Sequence, residues 1–166
     1  MQLAEQIRYL MLAVQREGNR YFNDALRPLD LTAAQAEVLR VLQEYQPISL
    51  GELGNLLVCE HGSPSRLVNG LVTMGLVERV TSKRDGRYVT LTLTELGKER
   101  AEVVVQIEAK MDEQIMELIE HASIEPLLEV FWRYIEDRPS GLALARRTKW
   151  HVPHRDAAHK EASHAD

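Results

Sequence analysis

Cysteine is almost missing from the 166-residue chain, where Cys59 stands alone. A single thiol excludes an internal disulfide and any Cys-rich zinc site. Long apolar runs are missing too: nothing approaches the roughly 18 consecutive apolar residues of a membrane-spanning helix. The opening residues MQLAEQIRYL carry acids and bases where a secretory signal holds an apolar block, so a soluble, cytoplasmic protein is expected. There is no internal repeat. No nucleophile with its base, no carboxylate pair and no metal cluster forms a catalytic constellation, which argues against an enzyme, and no cofactor is implied. His151, His154, His159 and His164 crowd the end of the chain. Their only tight pair is three apart with Pro153 between, and no cysteine joins them, which favours a solvated tail over a metal site.

Also lacking is an excess of positive charge, since the net charge is −5. That balance argues against a polyanion partner only until it is divided along the chain. Residues 99–139 hold eleven Asp/Glu against four Lys/Arg, whereas residues 47–98 hold six Lys/Arg against five acids and residues 140–166 five bases against three acids. Almost all the acidity lies in one late segment. The charge pattern therefore predicts that 99–139 faces away from any nucleic acid, and it leaves the middle of the chain free to bind one.

What is present is a periodic apolar pattern, and at 45% apolar content the chain can bury the core of one domain with appended arms. Leu3, Ile7, Leu10 and Val14 recur at helix-pairing spacing and predict a first helix ending before Pro28. Thr32 with Gln35, and Ser49 with Glu52, read as capping boxes that open two further helices. In the first of these Ala36, Leu39 and Leu42 form the buried face; in the second, Leu53, Leu56 and Leu57 do. A fourth helix begins at Glu60 or at Ser63–Pro64 and ends at Gly75, with Leu67, Leu71 and Met74 on one face. Leu76–Thr81 and Tyr88–Thr92 alternate as two strands of a hairpin around the Asp-Gly of SKRDG. Thr92-Leu93-Thr94-Glu95 leads into a long helix over 96–120, striped by Val104, Ile107, Met111, Ile115 and Leu118. A last helix is expected from Ser123, with Leu127, Val130, Phe131 and Tyr134. The segment 139–166 is basic and contains His, and it reads as a weakly ordered tail.

Helix, helix, short helix, helix and hairpin, flanked by long helices, is the order of a winged helix-turn-helix framed by dimerisation arms. The fold is expected to be mainly α with a small β-hairpin wing. LTAAQAEVLRVL, ISLGELGNLL, SRLVNGLVTMGLVERV and RDGRYVTLTLTELGK resemble the MarR family of bacterial transcriptional regulators over roughly residues 1–138. The resemblance implies a homodimer joined through residues 1–27 and 96–138, with a winged helix at 28–95 that reads a pseudo-palindromic DNA site. It further implies repression released by a small, commonly aromatic effector, whose pocket the sequence does not place; Met11, Tyr21, Phe22 and Tyr45 are candidates for lining it or for core.

By the same resemblance Ser63, Ser65, Arg66 and Asn69 form the reading face of the fourth helix, and Asp85 and Arg87 belong to the wing. Pro64 and Gly70 depart from the family pattern, Gly70 standing where a cation is common. Physical chemistry agrees with the assignment. Base edges require Arg, Asn or hydroxyl groups on an exposed helix face, and a narrow minor groove attracts slim cations such as Lys83, Arg84 and Arg87. The plainer alternatives are a solvated helix face for Arg66 and Asn69, hairpin-tip solubility for the wing cations and a turn role for Asp85. At the level of function, the alternatives are a winged helix used only for protein contacts and redox sensing through Cys59. The slot of Cys59 instead suggests a small buried hydrophobe, and an adjacent carboxylate, Glu60, would disfavour its thiolate.

Overall fold

In the computed structural model the described residues are 2–59, 63–81, 89–120 and 122–147. Helix α1 (Leu3–Leu26) gives way to a short 3-10 turn, Arg27–Leu29, at Pro28. Asp30 then takes a left-handed backbone and Thr32 opens α2 (Ala33–Tyr45) with the expected capping box. The Ala33 amide donates to the Asn23 Oδ1 of α1 at 3.1 Å, satisfying another of the donors that a helix start leaves unpaired. Helix α3 (Leu50–Leu56) is opened by the second capping box, Ser49 with Glu52. The bonds from Ser49 hold the Glu52 carboxyl below the usual carboxylate range.

Helix α4 (Pro64–Thr73) starts at the second of the two expected places, with Pro64 at its first position, where the missing N–H costs nothing. Ser63 sits at the cap without a side-chain bond to the helix. The end of α4 follows from Gly75 at φ 72: the Leu76 amide reaches the Leu71 carbonyl at 2.9 Å, and the Gly75 amide reaches Val72 at 3.0 Å. This pairing closes the helix and turns the chain sharply into a strand.

Strands β1 (Val77–Thr81) and β2 (Val89–Leu93) pair antiparallel, with Val77 opposite Leu93 and Arg79 opposite Leu91. Ile48 adds an isolated bridge to Leu91, so the segment before α3 lies along the hairpin's edge. Val77, Leu91 and Leu93 are buried on the face that meets the helices. Glu78 and Thr92 occupy the outer face, where the Thr92 hydroxyl donates to the Glu78 carboxylate at 3.2 Å.

Helix α5 (Glu95–Ile119) is capped by Thr94, and it passes so close to the end of α4 that a Cβ on Gly97 would lie 1.9 Å from the Leu76 carbonyl oxygen. Only glycine fits there. The first turns of α5 belong to the core through Ala101 and Val104, packed with Leu39, Leu42, Leu53, Leu57, Val68 and Leu71. The far half leaves it: Ile115, Met116 and Leu118 are exposed, Leu118 at 84%.

Helix α6 (Glu125–Ile135) starts two residues later than Ser123, because Pro126 favours the first turn and Ile124 takes the cap position. The weakly ordered tail expected from residue 139 is corrected over its first part. Pro139–Ala145 forms a helix, α7, which packs on α6 and on α3. Sequence periodicity misses it because the buried positions are Gly141 and Ala143, which carry almost no hydrophobic signal. A Cβ on Gly141 would stand 2.0 Å from the Ile135 carbonyl oxygen, so the corner between α6 and α7 also depends on glycine. The four tail histidines lie outside the described residues.

Candidate nucleic-acid interface

Helix α4 has two faces of opposite character. Val68 and Leu71 are buried, anchoring the helix against α2 and the hairpin. Ser65, Arg66 and Asn69 are exposed, as is Thr73 one further turn along. Positions 65, 69 and 73 follow the four-residue spacing of one helix stripe, so a row of hydrogen-bonding groups runs along the outside of α4. Ser63 lies half-buried at the helix start. Gly70, on the flank facing α2, leaves room for Gln35, whose Nε2 would be 3.2 Å from an added Cβ. A long cation at 70 would have to displace the side chain that caps α2, which gives the sequence's departure a local reason.

Arg79 is a residue that the sequence reading passed over. Its Nη2 donates to the Asn69 Oδ1 at 2.5 Å. Directly opposed residues of an antiparallel pair share a face, so Arg79 stands on the side of the hairpin that carries Leu91, where the core ends and α4 begins. Counting two residues on from the buried Val77 would have found it. The bond uses the acceptor of Asn69 and leaves its amide N–H groups directed elsewhere. It also places a guanidinium, exposed and planar, beside Asn69 on the polar surface of α4. Strands β1 and β2 extend this surface as far as Thr81 and Val89, which are paired. Lys83, Arg84, Asp85 and Arg87 lie outside the described residues.

Cys59 corrects one expectation: its side chain is exposed rather than buried. Protein still surrounds its thiol on one side, and Glu37 of α2 is a neighbouring carboxylate, while Glu60 lies outside the described residues. Desolvation and the charge and hydrogen bonding of Glu37 push the thiol up to about 12, against a smaller opposing pull from Arg147. The thiol is held protonated, the opposite of what a reactive cysteine requires. Near it, between α1, α2 and α5, lies a cavity of about 220 Å³ lined by Phe22, Val41 and Tyr45 together with Arg40, Glu37 and Glu108. Phe22 and Tyr45 thus face a cavity, while Met11 and Tyr21 are not among its lining residues. The Arg40 Nε pairs with Glu108 at 2.7 Å and ties α2 to α5 across it.

Residues 31–97 match a family model described as a winged helix DNA-binding domain. Among curated proteins, the organic hydroperoxide resistance transcriptional regulator of Bacillus subtilis is 29% identical over 64% of this chain and 73% of its own length. The multiple antibiotic resistance protein MarR of Escherichia coli is 36% identical over 53% of this chain and 61% of its own. A mutant of that MarR solved in complex with operator DNA superposes with a TM-score of 0.64 at 29% identity, covering 81% of this chain and 99% of the solved one. In sequence and in fold the chain is similar to regulators of the MarR type. Four-fifths of it accounts for nearly the whole of a MarR chain, so about a fifth of its length has no counterpart there. A Staphylococcus aureus MepR–DNA complex, with a TM-score of 0.71 at 19% identity, shares the fold.

Proposed function

We propose that the chain is a dimeric transcriptional regulator that binds a pseudo-palindromic operator in double-stranded DNA, acting in the cytoplasm by binding rather than by catalysis. The observation that carries this reading is the exposed row Ser65, Arg66 and Asn69 on α4, flanked by Arg79, on a fold shared with an operator-bound MarR at 29% identity. In this reading α4 enters the major groove. Arg66 supplies a fork for guanine, Asn69 reads an adjacent base with its amide, and Ser63 and Ser65 contact phosphate or base edges near the helix start. The hairpin brings Lys83, Arg84 and Arg87 to the neighbouring minor groove, with Asp85 shaping the turn.

Dimerisation is supported by apolar side chains left open on the arms. Leu3, Ile7, Leu10 and Val14 on α1, Leu118 on α5, and Leu127, Val130 and Phe131 on α6 are all exposed in the single chain. A face of this extent is seldom left to water. A two-fold partner covering it would carry two copies of α4 into successive major grooves. The cavity beside Phe22 and Tyr45 lies where α1 and α5 of the arms meet α2 of the reading domain, which suits a small effector that alters their relation. Repression released by such an effector is the regulatory mode we propose. Among the described residues, no helix is long and apolar enough to cross a membrane.

Selection of bound sequences from random duplex DNA tests the reading. The expected outcome is an enriched site with two inverted half-sites about 10 bp apart, centre to centre. Failure to enrich any sequence, with the protein folded and dimeric, would move the winged helix to a protein-contact role.

A further inference from the structure

Arg147, just beyond α7, makes three contacts at one spot. Its Nε and Nη2 donate to the Leu56 carbonyl at 3.0 and 2.7 Å, and Nη2 also pairs with Glu37. Arg146 reaches the preceding carbonyl, Asn55, at 3.4 Å. Leu56 is the last residue of α3, so these guanidinium groups satisfy carbonyls that a helix end leaves open. Glu37 completes the cluster from the other side: its two oxygens accept the amides of Val58 and Cys59, each at 2.8 Å. Donors and acceptors from α2 and from the C-terminal segment thus converge on residues 55–59, the stretch leading from α3 towards α4. The Glu37 side chain is only 10% exposed and that of Arg147 27%, so the pair is sheltered from solvent screening.

We propose that α7 with Arg147 is a strap that fixes the pose of the helix-turn-helix, with Arg147 and Glu37 as positioning residues for operator binding. Three features support it. Gly141 permits the tight corner that sends the chain from α6 back to α3. The fork geometry of arginine serves the Leu56 carbonyl and the Glu37 carboxylate together, which a lysine point charge does not reproduce. And the contact joins α6, an arm helix, to the segment ahead of the reading helix, so a change in the arms is transmitted to α4 through a few hydrogen bonds. The operator part of this proposal rests on the DNA-binding reading; the ordering part does not.

The test compares full-length wild type, Arg147→Ala, Arg147→Lys and Glu37→Gln by amide hydrogen exchange and by titration with the duplex selected by the wild type. Expected for Arg147→Ala is exchange at Val58, Cys59 and the first turns of α4 faster by about tenfold or more, with α5 unchanged. Operator affinity should fall by a similar factor while the salt dependence keeps its slope, because Arg147 touches no phosphate. Arg147→Lys should fail to restore either readout, and Glu37→Gln should reproduce the loosening. Unchanged exchange at 58–67 would overturn the strap. So would faster exchange with full operator affinity, rescue of both readouts by lysine, or a shallower salt slope, which would make Arg147 a phosphate contact. If the wild type selects no duplex while Arg147→Ala still loosens 58–67, the DNA reading fails and the strap stands as the ordering device of another interface.

Discussion

Asn69 and Arg79 behave as one unit, because a guanidinium 2.5 Å from the Asn69 oxygen orients the amide before any partner arrives. On the proposed function, Arg79→Ala should cost about 1–2 kcal/mol of operator affinity through loss of that orientation, with most of the loss at the base position read by Asn69. Electrophoretic titration against single-base variants checks this, and a loss spread evenly over all variants would contradict it. Cys59 supplies a second prediction. Its thiol is held at about 12 chiefly by desolvation and Glu37, so at pH 8 the thiolate is scarce and iodoacetamide should label it slowly despite its exposure. Glu37→Gln, which removes the neighbouring charge, should speed labelling; fast labelling of the wild type at pH 8 would contradict the account. In linkage terms the raised thiol pKa stabilises the fold at lower pH. That contribution is lost as pH rises from the unfolded value towards 12. At this scale the sequence was legible where residue type and helix position agree, as for the exposed placing of Arg66 and Asn69 on α4. It was not legible for Arg79, Glu37 and Arg147, whose roles come from partners up to 110 positions away.

Elements were read well wherever a local signal specified them. Both capping boxes, the Pro64 start and the Gly75 stop of α4 all rest on chemistry within a few residues. Helix α7 was missed because its buried face is Gly and Ala, and the lateral placement of α5 was invisible because it depends on Gly97 lying under a carbonyl from another element. Gly97→Ala therefore offers a direct check on the junction of hairpin and arm. With 1.9 Å between the new Cβ and the Leu76 oxygen, backbone must move, and overpacking of this kind costs about 1–3 kcal/mol or more. Urea denaturation should show a lowered midpoint with unchanged slope. An unaltered midpoint would mean that α5 sits farther from Leu76. Loss of the Ser49 cap is a milder perturbation of the helix-turn-helix, expected near 1 kcal/mol for Ser49→Ala in the same assay.

Across the whole molecule, a compact reading domain shares its core with the first half of α5, while α1, the rest of α5 and α6 carry apolar surface outward. The bonds of Arg40 to Glu108 and of Gln43 to Glu102 hold the two parts together along α2 and α5. The acidic segment 99–139 runs through most of α5 and all of α6 to the first residue of α7. The arms should pair two copies, so light scattering at micromolar concentration should give about twice 18.9 kDa. Leu10→Asp should weaken that association, and a folded wild-type monomer would contradict the dimer. The measurement that bears most directly on the central claim is a titration of wild type and Arg66→Ala against the selected operator and a copy with one half-site scrambled, at several salt concentrations. The account predicts that Arg66→Ala loses about 1–3 kcal/mol per half-site on the operator and relaxes preference at one base position in each half, with non-specific binding much less affected. Equal losses on operator and scrambled DNA, or no loss with the fold intact by circular dichroism, would contradict α4 as the reading helix.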